Sequence, residues 1–146
     1  KDPSLRASAI QWLGVAGGRD QLVQLYGSES SAAVKKDILH GLMVSGGKEQ
    51  LLALAKAEKE ESLRGQAVQS MGIAGGRAEL VQLYHSEANG KIKRAALHGL
   101  FLAGSAKELV AIARAEKDPG LKAEAVRKLS LMRAKEATEL FEEILK

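Results

Sequence analysis

The 146 residues include no cysteine, two prolines and only 3% aromatics, which excludes disulfides, thiolate metal sites and cysteine nucleophiles and leaves a core of Leu, Val, Ile and Ala. Twenty-two basic residues against 18 acidic ones give a formal charge of +4, compatible with nucleic acid without requiring it. No stretch is apolar for long enough to cross a bilayer, and because the chain starts at Lys1 a leader could have been removed, so the compartment stays open.

Asp2 is a sound N-cap and Pro3 suits the first helical position, so a helix is expected from there, with Leu5, Ala9, Ile10 and Leu13 on one face. Gly17-Gly18 ends it, and Leu22, Leu25 and Tyr26 form the stripe of a second helix. The pair then recurs. Leu5, Val34, Leu63, Ile92 and Leu121 stand 29 residues apart, each followed by a base: Arg6, Lys35, Arg64, Lys93 and Lys122. Leu13, Leu42, Met71, Leu100 and Leu129 repeat in step, and the turn returns as Gly46-Gly47, Gly75-Gly76 and Gly104-Ser105, replaced at the end by Arg133-Ala134. The spacing predicts an all-α chain of five 29-residue helical hairpins, about ten helices, in one domain with units 1–30, 31–59, 60–88, 89–117 and 118–146. One hairpin cannot bury its apolar faces alone, so the units must stack.

A longer echo overlies the first. "AGGR" and "LVQLY" of unit one return in unit three and "LHGL" of unit two in unit four, a 58-residue distance that points to a duplicated two-unit block. The charged ending "RAKEATELFEEILK" reads as a C-terminal cap, whereas the opening "KDPSLR" reads like the internal junction "KDPGLK", so the chain is expected to be a piece of a longer array.

Residues 2 to 17 spell Asp-Pro-x-Leu-Arg-x-x-Ala-Ile-x-x-Leu-Gly-x-x-Gly, and Asp118 to Leu129 repeat it less completely. This pattern resembles the short HEAT-like repeats common in bacterial proteins, over essentially the whole chain. The resemblance implies a right-handed α-solenoid and is nearly silent on function.

Several groups invite chemistry. In "GLMVSGGKEQ", Gly41 and Gly46 have phosphate-loop spacing, but Gly47 precedes Lys48 and Glu49 takes the hydroxyl position, so the stretch reads as a turn between helices. The bases at Arg6, Lys35, Arg64, Lys93 and Lys122 fall within the apolar stripe, and a second ladder, Glu29, Glu58, Glu87 and Glu116, shares the phase of the second helices. Half-buried pairs between the two ladders are therefore expected, fixing register. His40 and His98 hold the same register about 20 Å apart, too far for one metal ion, and both are read as exposed. Adjacent residues diverge on a helix, so His85-Ser86-Glu87 is no catalytic relay. Trp12 is read as covering a junction, and Tyr26 and Tyr84 as packed with bonded hydroxyls. No catalytic residue, metal or cofactor is assigned.

In HEAT-like solenoids the second helices line the concave surface, which would here carry Gln24, Lys56, Gln82, His85, Lys107 and Arg114. The later units turn basic there, which suits an acidic segment of a protein partner. The expected function is a non-catalytic protein–protein interaction scaffold without membrane insertion. The alternative is nucleic-acid binding through a basic surface, as in HEAT-like DNA glycosylases; few aromatics and the inward basic ladder count against it.

Overall fold

Five polar side chains set 29 residues apart start the longer helices. Asp2, Ser31, Glu60, Asn89 and Asp118 each sit in extended backbone and accept hydrogen bonds from amides two or three residues on. The computed structural model describes residues 2–146 and holds, among them, ten α-helices and no strand. They are α1 (Pro3–Val15), α2 (Arg19–Ser28), α3 (Ala32–Val44), α4 (Lys48–Ala57), α5 (Glu61–Ile73), α6 (Arg77–Ser86), α7 (Gly90–Leu102), α8 (Ala106–Ala115), α9 (Pro119–Ser130) and α10 (Lys135–Leu145). Below, the odd-numbered helices are the first helices and the even-numbered ones the second.

Each first helix closes in the same way through the first four copies. The amides of Gly18, Gly47, Gly76 and Ser105 reach back to the carbonyls of Leu13, Leu42, Met71 and Leu100 at 2.7–2.9 Å, and the preceding Gly17, Gly46, Gly75 and Gly104 take positive φ. In the fifth copy Arg133 adopts φ 53° in place of glycine. A side chain in that region costs about 1 kcal/mol. Arg133→Gly should therefore raise the melting temperature by a few degrees, measured by thermal denaturation; an unchanged or lower value would mean that this strain is relieved locally.

Leu22, Leu51, Leu80 and Leu109 on the second helices and Leu42, Met71, Leu100 and Leu129 on the first are fully buried and form the spine of the core. Every substantial contact joins helices no more than two positions apart in the chain. The first helices pack along one another from α1 to α9, whereas second helices touch each other weakly. At the outer side of unit one, Leu5, Trp12 and Leu25 stay exposed.

The 58-residue echo has a packing basis. The α1–α3 and α5–α7 contacts are closer than α3–α5 and α7–α9. Gly14 lies against the Gly41 carbonyl, and Gly72 against Gly99: a Cβ added at Gly72 would stand 2.0 Å from the Gly99 carbonyl oxygen. Only glycine permits this approach, so units one and two, and three and four, form tight blocks.

Candidate interaction surfaces

The charged ladders meet at the hairpin junctions. One oxygen of Glu58 accepts the amides of Lys59 and Glu60 at 2.8 and 3.0 Å; the other accepts the Tyr26 hydroxyl and faces Lys35 at 3.7 Å. Lys35 also lies 4.9 Å from the centre of the Tyr26 ring. Two units on, Tyr84 donates to Glu116, Lys93 lies 4.8 Å over the Tyr84 ring, and Glu116 accepts the Asp118 amide at 2.9 Å.

At the intervening junction alanine replaces tyrosine, and a longer cation fills the space. Arg64 donates from Nε to the Ala55 carbonyl at 2.6 Å and from both terminal nitrogens to Glu87. The size exchange accounts for lysine beside the two tyrosines and arginine beside Ala55; at the last junction, where no glutamate follows, Ala113 is succeeded by Lys122.

The ends of the ladder differ from the pairing expected. Arg6, with no helix before it among the described residues, turns to Asp37 at 3.1 Å, and its Nε is buried without a partner. Glu29 accepts the Ser30 and Ser31 amides at 3.0 and 2.8 Å instead of a base. Lys122 makes no ion pair among the described residues, because the fifth unit departs from the repeat where a glutamate would stand.

These contacts set the response to pH. The Arg64 guanidinium, outweighing burial, holds Glu87 below the usual carboxylate range, and the Tyr84 hydroxyl does the same for Glu116. Burial alone would raise Glu58, but the Tyr26 hydroxyl, the Glu60 amide and Lys35 together lower it. Burial, reinforced by these glutamates, pushes the Tyr26 and Tyr84 phenols up. A depressed carboxylate contributes stability above its unfolded pKa and loses it as pH falls through the folded one; a raised phenol contributes below about pH 10 and loses it above. The melting temperature should be flat between about pH 7 and 10 and fall on both sides, on the acid side first through His98, whose pKa is lowered, and then through these carboxylates, with Glu87→Gln and Glu116→Gln flattening the lower part of the acid limb. An acid limb unchanged in both variants would contradict the assignment.

The six side chains expected to form a binding face lie on the second helices. Gln24, Lys56, Gln82, His85, Lys107 and Arg114 are all exposed on α2, α4, α6 and α8. Arg114 is tied to Glu143 of α10 through both Nε and Nη2, and with Lys107 it borders a groove of about 320 Å³ between α8 and α10. His85 packs edge-on to Tyr84 at 5.7 Å beside a separate groove of about 280 Å³.

The first helices carry a larger feature. A cleft of about 760 Å³ runs across α3, α5, α7 and α9, lined by Lys36, Gln66, Gln69, Arg94, His98 and Lys128 among others. Its carboxylates are engaged within the chain: Glu60 caps α5, Glu61 bonds Asn89 and Lys91, and Glu124 pairs with Arg127 and Lys128. Lys36 and Arg94 make no ion pair among the described residues.

His98 departs from the exposed reading. It is half-buried, 5.9 Å from the Phe101 ring and 3.1 Å through Nδ1 from Lys128 Nζ. Burial and the neighbouring Lys128 charge outweigh Glu124 and lower its pKa, so it accepts from Lys128 as a neutral ring. His40 and His85 are exposed.

Beside the cleft lies a pattern the sequence reasoning missed. Val15, Val44, Ile73, Leu102 and Leu131, again 29 residues apart, are between 42% and 66% exposed. Their signal was the recurrence of an aliphatic residue two places after each core position of Leu13, Leu42, Met71, Leu100 and Leu129, out of phase with the buried stripe. Gln69 and His98 of the cleft stand one turn before Ile73 and Leu102, so cleft and ridge are continuous.

Among the described residues no group of three His, Asp or Glu side chains is placed to hold a metal ion, and no helix is long and apolar enough to cross a membrane. No family model, no curated protein and no solved structure matches the chain, so what can be said of its function rests on its own helices and surfaces.

Proposed function

We propose that the chain is a right-handed α-solenoid of five HEAT-like hairpins that works as a non-catalytic protein-binding scaffold, and that its binding surface is the face of the first helices. The observation carrying this reading is the strictly sequential packing, in which substantial contacts reach no further than two helices along the chain. A stack of that kind presents one continuous surface along each layer. In a bent two-layer stack the inner layer is the more closely packed one, and the closer packing among the first helices supports assigning that place to them. The 760 Å³ cleft on that layer supports the same choice over the second helices, where the grooves beside His85 and beside Lys107 and Arg114 are about 280 and 320 Å³.

Selection of displayed random peptides against the folded chain, followed by hydrogen exchange of the bound complex, tests the reading. Protection on α3, α5, α7 and α9 is the expected result. Protection confined to α2, α4, α6 and α8 would move the site to the second helices, and failure of any peptide to bind alongside salt-dependent retention of random duplex DNA would favour the nucleic-acid alternative.

A further inference from the structure

The outer side of unit one is built like the face of a junction between hairpins. We infer that it docks a further hairpin of the same repeat, joined ahead of Lys1 and of the kind that unit two represents. The inference does not depend on which layer of the stack binds a protein.

The internal junctions show what covers such a face. Leu5 is 59% exposed, whereas Leu63, Ile92 and Leu121 in the same register are 4%, 1% and 7% exposed. Leu25 is 48% exposed, against 5% for Leu54, 5% for Leu83 and 2% for Ile112. Ala9 is exposed too, while Ile38, Ala67, Ala96 and Ala125 are buried. In each later unit the preceding hairpin packs on the first helix, through α2–α3, α4–α5, α6–α7 and α8–α9. Leu5, Ala9 and Trp12 on one side of α1, with Leu25 of α2, thus form an apolar face that the repeat buries elsewhere.

Arg6 selects the kind of hairpin. Two units on, Arg64 ends the same Ser-Leu-Arg run and donates from Nε to the Ala55 carbonyl in the last turn of α4. Arg6 Nε is buried without an acceptor, and a second helix with a small residue in the place of Ala55 would supply that carbonyl. Tyrosine in that place, as in units one and three, meets lysine instead.

Trp12 agrees with this choice. Its register holds Gly41 and Gly99 at the tight crossings but Ser70 and Lys128 at the looser ones, where one block meets the next. Lys128 shows that such a boundary accepts a long side chain: it lies across α7, with Nζ 3.1 Å from His98 Nδ1 and 5.5 Å from the Phe101 ring centre. On a copy of unit two, Trp12 would lie across His40 and Met43, which hold the registers of His98 and Phe101. A second copy of the chain fits worse, because its last helix would set the exposed Glu139, Glu142 and Glu143 against Leu5 and Leu25.

The test joins a copy of Ser31–Glu58 ahead of Lys1, so that its glutamate precedes Lys1 as Glu58 precedes Lys59. Trp12 is the only tryptophan and the added hairpin has none, so its fluorescence reports on this face alone. Emission should move to the blue, and quenching by acrylamide should fall severalfold. Arg6→Ala should lower the folding equilibrium constant about tenfold more in the fusion than in the parent, read from urea denaturation. A copy of Glu60–Glu87, which carries Tyr84 in the place of Ala55, should shield Trp12 less. A tryptophan as exposed in the first fusion as in the parent, equal shielding by the two hairpins, or an equal cost of Arg6→Ala with and without the hairpin would each overturn the inference. A parent dimer that Trp12→Glu dissociates would overturn it as well. Protection of α3, α5, α7 and α9 by selected peptides stands or fails independently of these results.

Discussion

Gly72→Ala should destabilise the chain by about 3 kcal/mol or more. The new methyl would stand 2.0 Å from the Gly99 carbonyl oxygen and 2.7 Å from its carbon, so rigid backbone would have to move, and α5 would separate from α7. A gap opened there exposes Val68, Leu97 and Leu100, buried beside the crossing, and adds cavity cost to the clash. Gly27→Ala provides the internal control. Gly27 lies inside α2 with nothing within 4 Å of an added Cβ, so the same chemical change should stabilise by about 0.5–1 kcal/mol. Chemical denaturation of both variants should move the midpoint in opposite directions. Equal small shifts would mean that the helices are held apart by other contacts.

Arg64→Ala should cost about 3 kcal/mol. Its side chain is 20% exposed and that of Glu87 10%, so truncation leaves a nearly buried carboxylate and the Ala55 carbonyl both without their donor. Arg64→Lys should recover only part, since a single ammonium cannot serve the carbonyl and both carboxylate oxygens in one geometry. The paired change Arg64→Met with Glu87→Leu removes the uncompensated charge and should restore most of the stability. A variant Arg64→Ala that melts with the parent yet loses peptide binding would show that this arginine faces a ligand rather than the junction.

Much of the helical order was legible because it depends on local rules. Asp2 before Pro3 starts a helix wherever it occurs, and the glycines at positions 17, 46, 75 and 104 mark turns because few other residues tolerate positive φ. What resisted reading depends on how far one helix is rotated against the next. Gly14, Gly41, Gly72 and Gly99 are plain in the chain, but their registers alternate between neighbouring units, and only the packed helices bring them face to face. The same rotation turns His98 toward Lys128 instead of solvent and sends Arg6 to Asp37. The ridge is a repeat in the chain, but its aliphatic residues fall outside the buried phase, so helix periodicity gives them no place in the core, although recurrence at every unit is itself a departure from random surface.

The alternating blocks also decide which pieces can be removed. Excising Glu60 to Lys117 joins unit two to unit five, so Ala55 takes the place that Ala113 holds before Lys122, and no glycine contact is broken within the remaining block. Excising Asn89 to Lys117 sets Gly72 against Lys128, the residue that stands where Gly99 made its close approach. If the chain is a linear stack of two-unit blocks, circular dichroism with urea denaturation will show the first deletion folded and cooperative, with a smaller m-value, and the second largely unfolded. Loss of folding in the Glu60 to Lys117 deletion, or equal tolerance of both, would contradict it.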